Sequence, residues 1–224
     1  MKTNFYFISS PLHLIFSAGL SLENNGQRNI AILVPQTLEQ AKVYHTLVGQ
    51  SSVFDEVVSF HENWLNSKVK ERKKRIRCLY ELVRKEKPGR IFTGNDRRIE
   101  FQYACSEARK VSGSVEGVYI DEGMATYLGH KSENKIQHKY IDPFFKKVVY
   151  GCWFDNPVVI GVSKWVDSVY AAFPEAVHPL LKHKHVQGIS RDIFSSKEFL
   201  SFSQGLLSSK KVSLEQFKNT KCLL

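Results

Sequence analysis

At 224 residues, with 42% hydrophobic and 24% charged side chains, the chain can bury a substantial core and has the composition of a soluble globular protein. No segment reaches transmembrane length, and there is no internal repeat, low-complexity tract or disordered linker. The formal net charge of +10 suits an anionic partner, and nucleic acid, an anionic lipid surface, a nucleotide-sugar or an acidic glycan would each match that sign.

The chain alternates short apolar runs with longer amphipathic ones, the pattern of βαβ units around a parallel sheet. Phe5–Ile8 reads as the first strand. Ser9 or Ser10 then caps a helix that begins at Pro11, where proline is tolerated in the first turn. Lys2 and the apolar stretches after it imitate a secretory signal, but Ser9, Ser10, Pro11 and His13 interrupt them and no small-residue cleavage site follows. Ile30–Val34 is a second strand stopped by Pro35, and Thr37 opens a helix through about Leu47. Val57–Phe60 is a short third strand, followed by a long basic helix from about Asn63 to Lys85 that Lys87-Pro88-Gly89 ends.

Arg90–Thr93 gives a fourth strand, and Gly94-Asn95-Asp96 turns into a helix from Arg97 to Lys110. Gly117–Ile120 gives a fifth strand ending in Asp121-Glu122-Gly123, two adjacent carboxylates and a glycine. Lys147–Tyr150 and Val158–Val162 read as strand or extended pieces, with a helix near Lys164–Ala172. Asn219–Leu224 reads as a strand just starting.

Three strand-to-helix turns therefore open on one edge of the sheet: Ser9-Ser10-Pro11, Gly94-Asn95-Asp96 and Asp121-Glu122-Gly123. Helix N-termini there present free N–H groups and a positive dipole end, while Ser and Asn side chains offer hydrogen bonds to sugar hydroxyls. The candidate substrate-binding residues are Ser9, Ser10, Gly94, Asn95, Asp96, Arg97 and Gly123. Asp121 and Glu122 are the candidate catalytic carboxylates, although Asp, Glu and Gly are also ordinary turn residues. Neither a G-x-G-x-x-G nor a Walker fingerprint is present, which disfavours a dehydrogenase or P-loop enzyme. Arg97-Arg98 either pair with Asp96 and Glu100 or attract an acidic ligand.

Cys78, Cys105, Cys152 and Cys222 are widely spaced without a metal-ligand pattern, as expected of isolated thiols in a reducing compartment. His178, His183 and His185 around Pro179 read as a surface loop, since no Cys, Asp or Glu completes a metal set. The basic run Lys68–Arg77 reads either as a solvated helix face or as peripheral contact with an anionic membrane, and nucleic acid is disfavoured because aromatic interleaving is sparse.

The segments Phe7-Ile8-Ser9-Ser10-Pro11-Leu12-His13-Leu14, Phe92-Thr93-Gly94-Asn95-Asp96-Arg97-Arg98-Ile99-Glu100-Phe101-Gln102 and Tyr119-Ile120-Asp121-Glu122-Gly123 resemble the bacterial sialyltransferase and polysialyltransferase families. The last is similar to their Asp/Glu-Asp/Glu-Gly motif. The resemblance covers roughly residues 1–130. It implies an α/β, Rossmann-like parallel sheet with helices on both faces, the N-terminal half of a GT-B glycosyltransferase. It also implies inverting, metal-independent transfer of sialic acid from CMP-sialic acid to a glycan acceptor such as capsule or lipooligosaccharide, with no cofactor.

By the family pattern Asp121 is the base and Glu122 orients it or contacts the acceptor, with exchange of the two roles left open. The family's His-Pro motif lies in its second domain, so His178-Pro179, close after Asp121, is not assigned that role. The expectation is an acceptor-side domain over residues 1–216, with residues 217–224 starting a second, donor-binding domain absent from this chain. Activity is then expected only of a form completed by that domain, at the cytoplasmic face of the inner membrane. The competing expectations are a non-catalytic module that holds polysialic acid or nucleic acid on the basic helix, and another nucleotide-sugar enzyme.

Overall fold

β-branched and aromatic runs with no polar alternation belong in strands covered on both faces, as a parallel sheet requires. A computed structural model of the protein describes residues 2–35, 44, 48–49, 52–60, 68–129, 147 and 151–209. Its strands are β1 (Thr3–Ile8), β2 (Arg28–Leu33), β3 (Glu56–Ser59), β4 (Arg90–Thr93), β5 (Glu116–Ile120), β6 (Ser168–Ala171) and β7 (His185–Gly188). They form one sheet in the order β3-β2-β1-β4-β5-β6-β7, and every pairing is parallel. This is the Rossmann-like doubly wound order with one strand added.

Successive side chains of each strand serve opposite layers. Phe5 and Phe7 pack with Ile32, Ile91 and Tyr119 beneath helices α2 (Lys68–Glu86) and α3 (Ile99–Ser112), which contribute Leu79, Val83, Phe101 and Cys105. Tyr6 and Ile8 pack with Leu33, Phe92 and Val118 beneath α1 (Pro11–Glu23) and α4 (Lys197–Ser209), which contribute Leu14, Leu20, Phe199 and Phe202. Tyr6 stacks on Phe92 with centroids 4.5 Å apart, which fixes β1 against β4 at the centre of the sheet.

The N-terminal two-thirds of the expected order holds, with helices on both faces. Beyond β5 the sequence reading is corrected. Lys164–Ala172 holds no helix, because Ser168–Ala171 is strand β6, and Val158–Val162 is a series of turns. The reason lies in Asp167, whose carboxylate accepts from the Gly117 N–H at 2.8 Å and from Arg109 at 2.8 Å. Those bonds seat residues 168–171 beside β5, and that pairing overrides local helical spacing. His185, expected in a loop, begins edge strand β7. The helix expected at Thr37–Leu47 falls mostly outside the described residues, as do Lys147–Tyr150 apart from Lys147, and residues 217–224.

The basic helix α2 is fastened to α3 rather than standing clear of it. Arg75 meets Glu100 at 2.8 Å and Arg84 meets Glu107 at 3.4 Å, both carboxylates being buried. Lys70, Lys73, Lys74 and Arg77 are exposed. Among the described residues no helix is long and apolar enough to cross a membrane.

Removing one partner of a buried ion pair strands the other. Arg75→Ala should therefore lower unfolding free energy by about 3 kcal/mol, whereas Arg75→Met with Glu100→Met should cost far less. Urea unfolding of the two variants checks this, and equal losses would refute it.

Candidate active site

Parallel strands send the carboxyl ends of β1, β4 and β5 to the same edge, and the three are neighbours in the sheet. The chain winds outward in both directions from β1 and β4, the switch point where open α/β sheets take their ligands.

Ser10 is extended, and its hydroxyl accepts from the His13 N–H at 3.2 Å, which caps α1 and holds His13 in its first turn. The Ser9 N–H donates to His13 Nδ1 at 3.4 Å, with the Ser9 hydroxyl 3.1 Å from the same atom. An Nδ1 that accepts leaves the proton of the neutral ring on Nε2. Nε2 meets Oε2 of Glu122, and neither atom has another hydrogen-bond partner among the described residues.

Gly94 makes this meeting possible. A Cβ there would lie 2.0 Å from His13 Nε2 and 2.7 Å from Glu122 Oε2, so any side chain would occupy the contact itself. Gly123 supplies the turn beyond the acids with φ of 69°, a left-handed conformation that glycine adopts without steric cost.

The two acids have different surroundings. Asp121 is only 2% exposed, and three donors reach its carboxylate: Gly123 N–H at 2.7 Å, Ala172 N–H at 2.9 Å and the Tyr127 hydroxyl. It ties the acidic turn to the end of β6 and to the π-helical turn Ala125–Gly129. Thr126 reinforces that turn, with its hydroxyl accepting from Glu122 N–H at 2.8 Å and lying 3.0 Å from the Tyr119 hydroxyl. Glu122 is 25% exposed, and among the described residues only its Oε2 is engaged, by His13. Burial pushes Glu122 up to about 7, against the pull of Arg98 and with a push from Asp121. Burial and the charge of Arg98 push His13 down to about 4, so the ring is neutral at pH 7. Its place in the first turn of a helix also disfavours positive charge.

The remaining expected site residues divide between the edge and the interior. The Asn95 side chain accepts from Arg97 N–H at 3.1 Å and shapes the turn. Asp96 is fully buried; it accepts from Ser163 N–H at 2.8 Å and faces away from solvent. The Arg97 guanidinium donates to the Pro157 and Val158 carbonyls at 3.2 and 3.0 Å, securing the loop that leads to β6. His178 sits against the acidic turn: its N–H donates to the Thr126 carbonyl at 2.9 Å, and a Cβ on Gly129 would lie 2.6 Å from its ring. Its Nδ1 accepts from Leu180 N–H at 3.2 Å, capping the short turn Pro179–His183. No set of metal-ligating side chains occurs among the described residues, and Cys78, Cys105 and Cys152 are free thiols.

Sequence reasoning missed the His13–Glu122 pair, the Tyr127 and Thr126 bonds, and the charge of Arg98 beside the pair. His13 carried a signal of its own, because an imidazole in the first turn of a capped helix is held at the strand edge beside the cap.

Fold and edge together define a Rossmann-like α/β domain with a carboxylate–imidazole pair at its switch point. The chain belongs to the alpha-2,8-polysialyltransferase family, whose profile matches residues 4–223. Among solved structures it is similar to the UDP-GlcNAc 2-epimerase from Neisseria meningitidis bound to UDP-GlcNAc, at 14% identity and a TM-score of 0.52, over 97% of this chain and 53% of that one. The UDP-GlcNAc 2-epimerase from Methanocaldococcus jannaschii matches at 10% identity and a TM-score of 0.47, over 94% and 52% of the two chains. The UDP-N-acetylglucosamine 2-epimerase from Rickettsia bellii matches at 11% and 0.47, over 95% and 52%. At such identities the likeness is one of fold. The chain spans about half the length of these structures. No curated protein matches it.

The pair has a signature in stability. Between pH 4.5 and about 7 the folded state holds more protons at Glu122 than the unfolded state, so that group makes stability fall as pH rises. Between about 4 and 6.5 the unfolded state holds more protons at His13, so stability rises with pH. The two slopes oppose each other. Glu122→Gln leaves only the second, and its urea midpoint should climb more steeply from pH 4.5 to 6.5 than that of the unsubstituted protein; parallel curves would contradict the assignment.

Proposed function

We propose that this chain is the acceptor-side domain of an inverting, metal-independent sialyltransferase that moves sialic acid from CMP-sialic acid to a surface glycan, capsule or lipooligosaccharide. The observation that carries this reading is Glu122, a carboxylate raised toward neutral pH, steered by His13 and open on one oxygen, in a member of the polysialyltransferase family. Family membership supports sialyltransferase-type glycosyl transfer, with a nucleotide-sugar donor and a glycan acceptor.

In the proposed step the acceptor hydroxyl gives its proton to Glu122 while its oxygen bonds to the anomeric carbon of the sugar. The bond from that carbon to the CMP phosphate oxygen breaks on the opposite face, and charge of oxocarbenium character develops between. A base must be reached by the acceptor hydroxyl, and Asp121 is almost wholly buried, with three of its roughly four lone-pair sites already taken by donors. We therefore exchange the roles that the family pattern suggests: Glu122 takes the proton, and Asp121 holds the turn. His13 Nε2–H fixes one oxygen of Glu122 so that the other faces the edge. No cofactor or metal enters this scheme. The donor is assigned to a second domain facing this edge. The exposed Lys70, Lys73, Lys74 and Arg77 would hold the enzyme on the anionic cytoplasmic face of the inner membrane.

Glu122→Gln in the whole enzyme, assayed with CMP-sialic acid and a glycan acceptor, should lower kcat by about 10²–10⁴-fold with little change in Tm. Asp121→Asn should lower both, because it disturbs three partly buried hydrogen bonds. The kcat/KM of the unsubstituted enzyme should rise with pH to a plateau, through an apparent pKa near 7. Near-normal turnover by Glu122→Gln would remove it as the base. Salt-sensitive binding of an anionic polymer through residues 70–77, with no transfer, would favour the binding module instead.

A further inference from the structure

A groove of about 970 Å³ opens at the opposite edge of the sheet, where β1, β4, β5 and β6 begin. It is separate from the acidic turn, which lies at the carboxyl ends of the same strands. Lys2, Lys87 and Arg90 line it together with Glu116 and Asp167, leaving a surplus of one positive charge. Both carboxylates are already engaged. Asp167 accepts from Arg109 and from Gly117 N–H, each at 2.8 Å, and Glu116 accepts from the Ser168 hydroxyl at 2.6 Å. Lys2 and Lys87 are exposed and make no ion pair with the described residues.

Amide groups supply the polar lining. One Arg90 nitrogen, Nη2, donates to the Asn24 side-chain oxygen and, at 3.2 Å, to that of Gln27. Asn4, another lining residue, is wholly buried; its Nδ2 donates to Asn29 at 2.9 Å, while its Oδ1 has no partner among the described residues. A buried acceptor without a donor is met by a water or by a ligand hydroxyl. Lys87 adds a second unusual feature. It is the single non-glycine residue with positive φ among those described, at 46°, in the position after α2 where glycine sits without steric cost. A lysine there bears backbone strain and places a cation on the rim.

We propose that this groove is a second binding site, for a saccharide bearing a single carboxylate. The net positive lining fits an anion, while the Asn4 Oδ1 and the Gln27 amide fit hydroxyls, which a sugar acid offers in number and phosphate does not. The volume is that of an ordinary small-ligand site.

The test is calorimetric titration of the full chain with N-acetylneuraminic acid and with glucuronic acid, alongside N-acetylglucosamine and inorganic phosphate. Both acids should bind saturably, at least tenfold tighter than the neutral sugar and phosphate. Lys87→Gly should weaken the acids at least tenfold while leaving Tm equal or higher, because glycine relieves the strain. Glu122→Gln, at the other edge, should leave this binding unchanged. The proposal is overturned if Lys87→Gly binds as before, if phosphate binds as tightly as the acids, or if Glu122→Gln abolishes binding. Those results are independent of whether the acidic turn transfers sialic acid.

Discussion

A strand that is apolar on both sides can rest only between two layers, and that double burial is the constraint on which this molecule depends. Phe5 and Phe7 need α2 and α3 beneath them, while Tyr6 and Ile8 need α1 and α4 above. Each crossover must therefore pass over one face and return in the same direction, which forces parallel pairing throughout. Once all strands run one way, their carboxyl ends share an edge. Residues 9–13, 94–98 and 121–123 meet there because the hydrophobic layers leave no other arrangement for the chain.

At that edge the backbone divides two adjacent acids between different tasks. Asp121 is buried among three donors and becomes part of the framework, as a carboxylate held by N–H and O–H groups does. Glu122 is partly exposed, and among the described residues only the imidazole of His13 engages it. Burial raises one group and lowers the other, so the pair sits near neutrality without a permanent charge that water would have to solvate. Arg98 stands close by and lowers both, opposing burial at Glu122 and adding to it at His13. A glycine at position 94 is the geometric condition for the arrangement.

The strands β1, β2, β4 and β5 were legible because each is a short apolar run closed by a turn residue, and the helices α1 and α3 because Ser10-Pro11 and Gly94-Asn95-Asp96 punctuate the chain. The region after β5 was not. Strand β6 is only Ser168–Ala171, and its identity comes from Asp167 bonding to Gly117 and Arg109, partners far away in sequence. Likewise the acidic turn announced itself by composition, but which acid is held and which is open depends on Tyr127, Ala172 and His13. His178 looked too close to Asp121 along the chain, yet the connection from β6 to β7 brings it against the same turn. Sequence proximity and spatial proximity part company wherever a crossover returns.

The approach of His13 to Glu122 joins a residue from the first helix to one from the turn after the fifth strand, with β4 between β1 and β5. Neither β1–β4 nor β4–β5 pairing is local, and parallel pairings of distant segments form slowly because loop closure must precede the reward of contact. The carboxylate–imidazole pair therefore requires both pairings to be in place. An intermediate with helices and only an outer strand pair in place would carry the side chains without the geometry. The site doubles as a checkpoint on its own scaffold: function begins only when the centre of the sheet has closed.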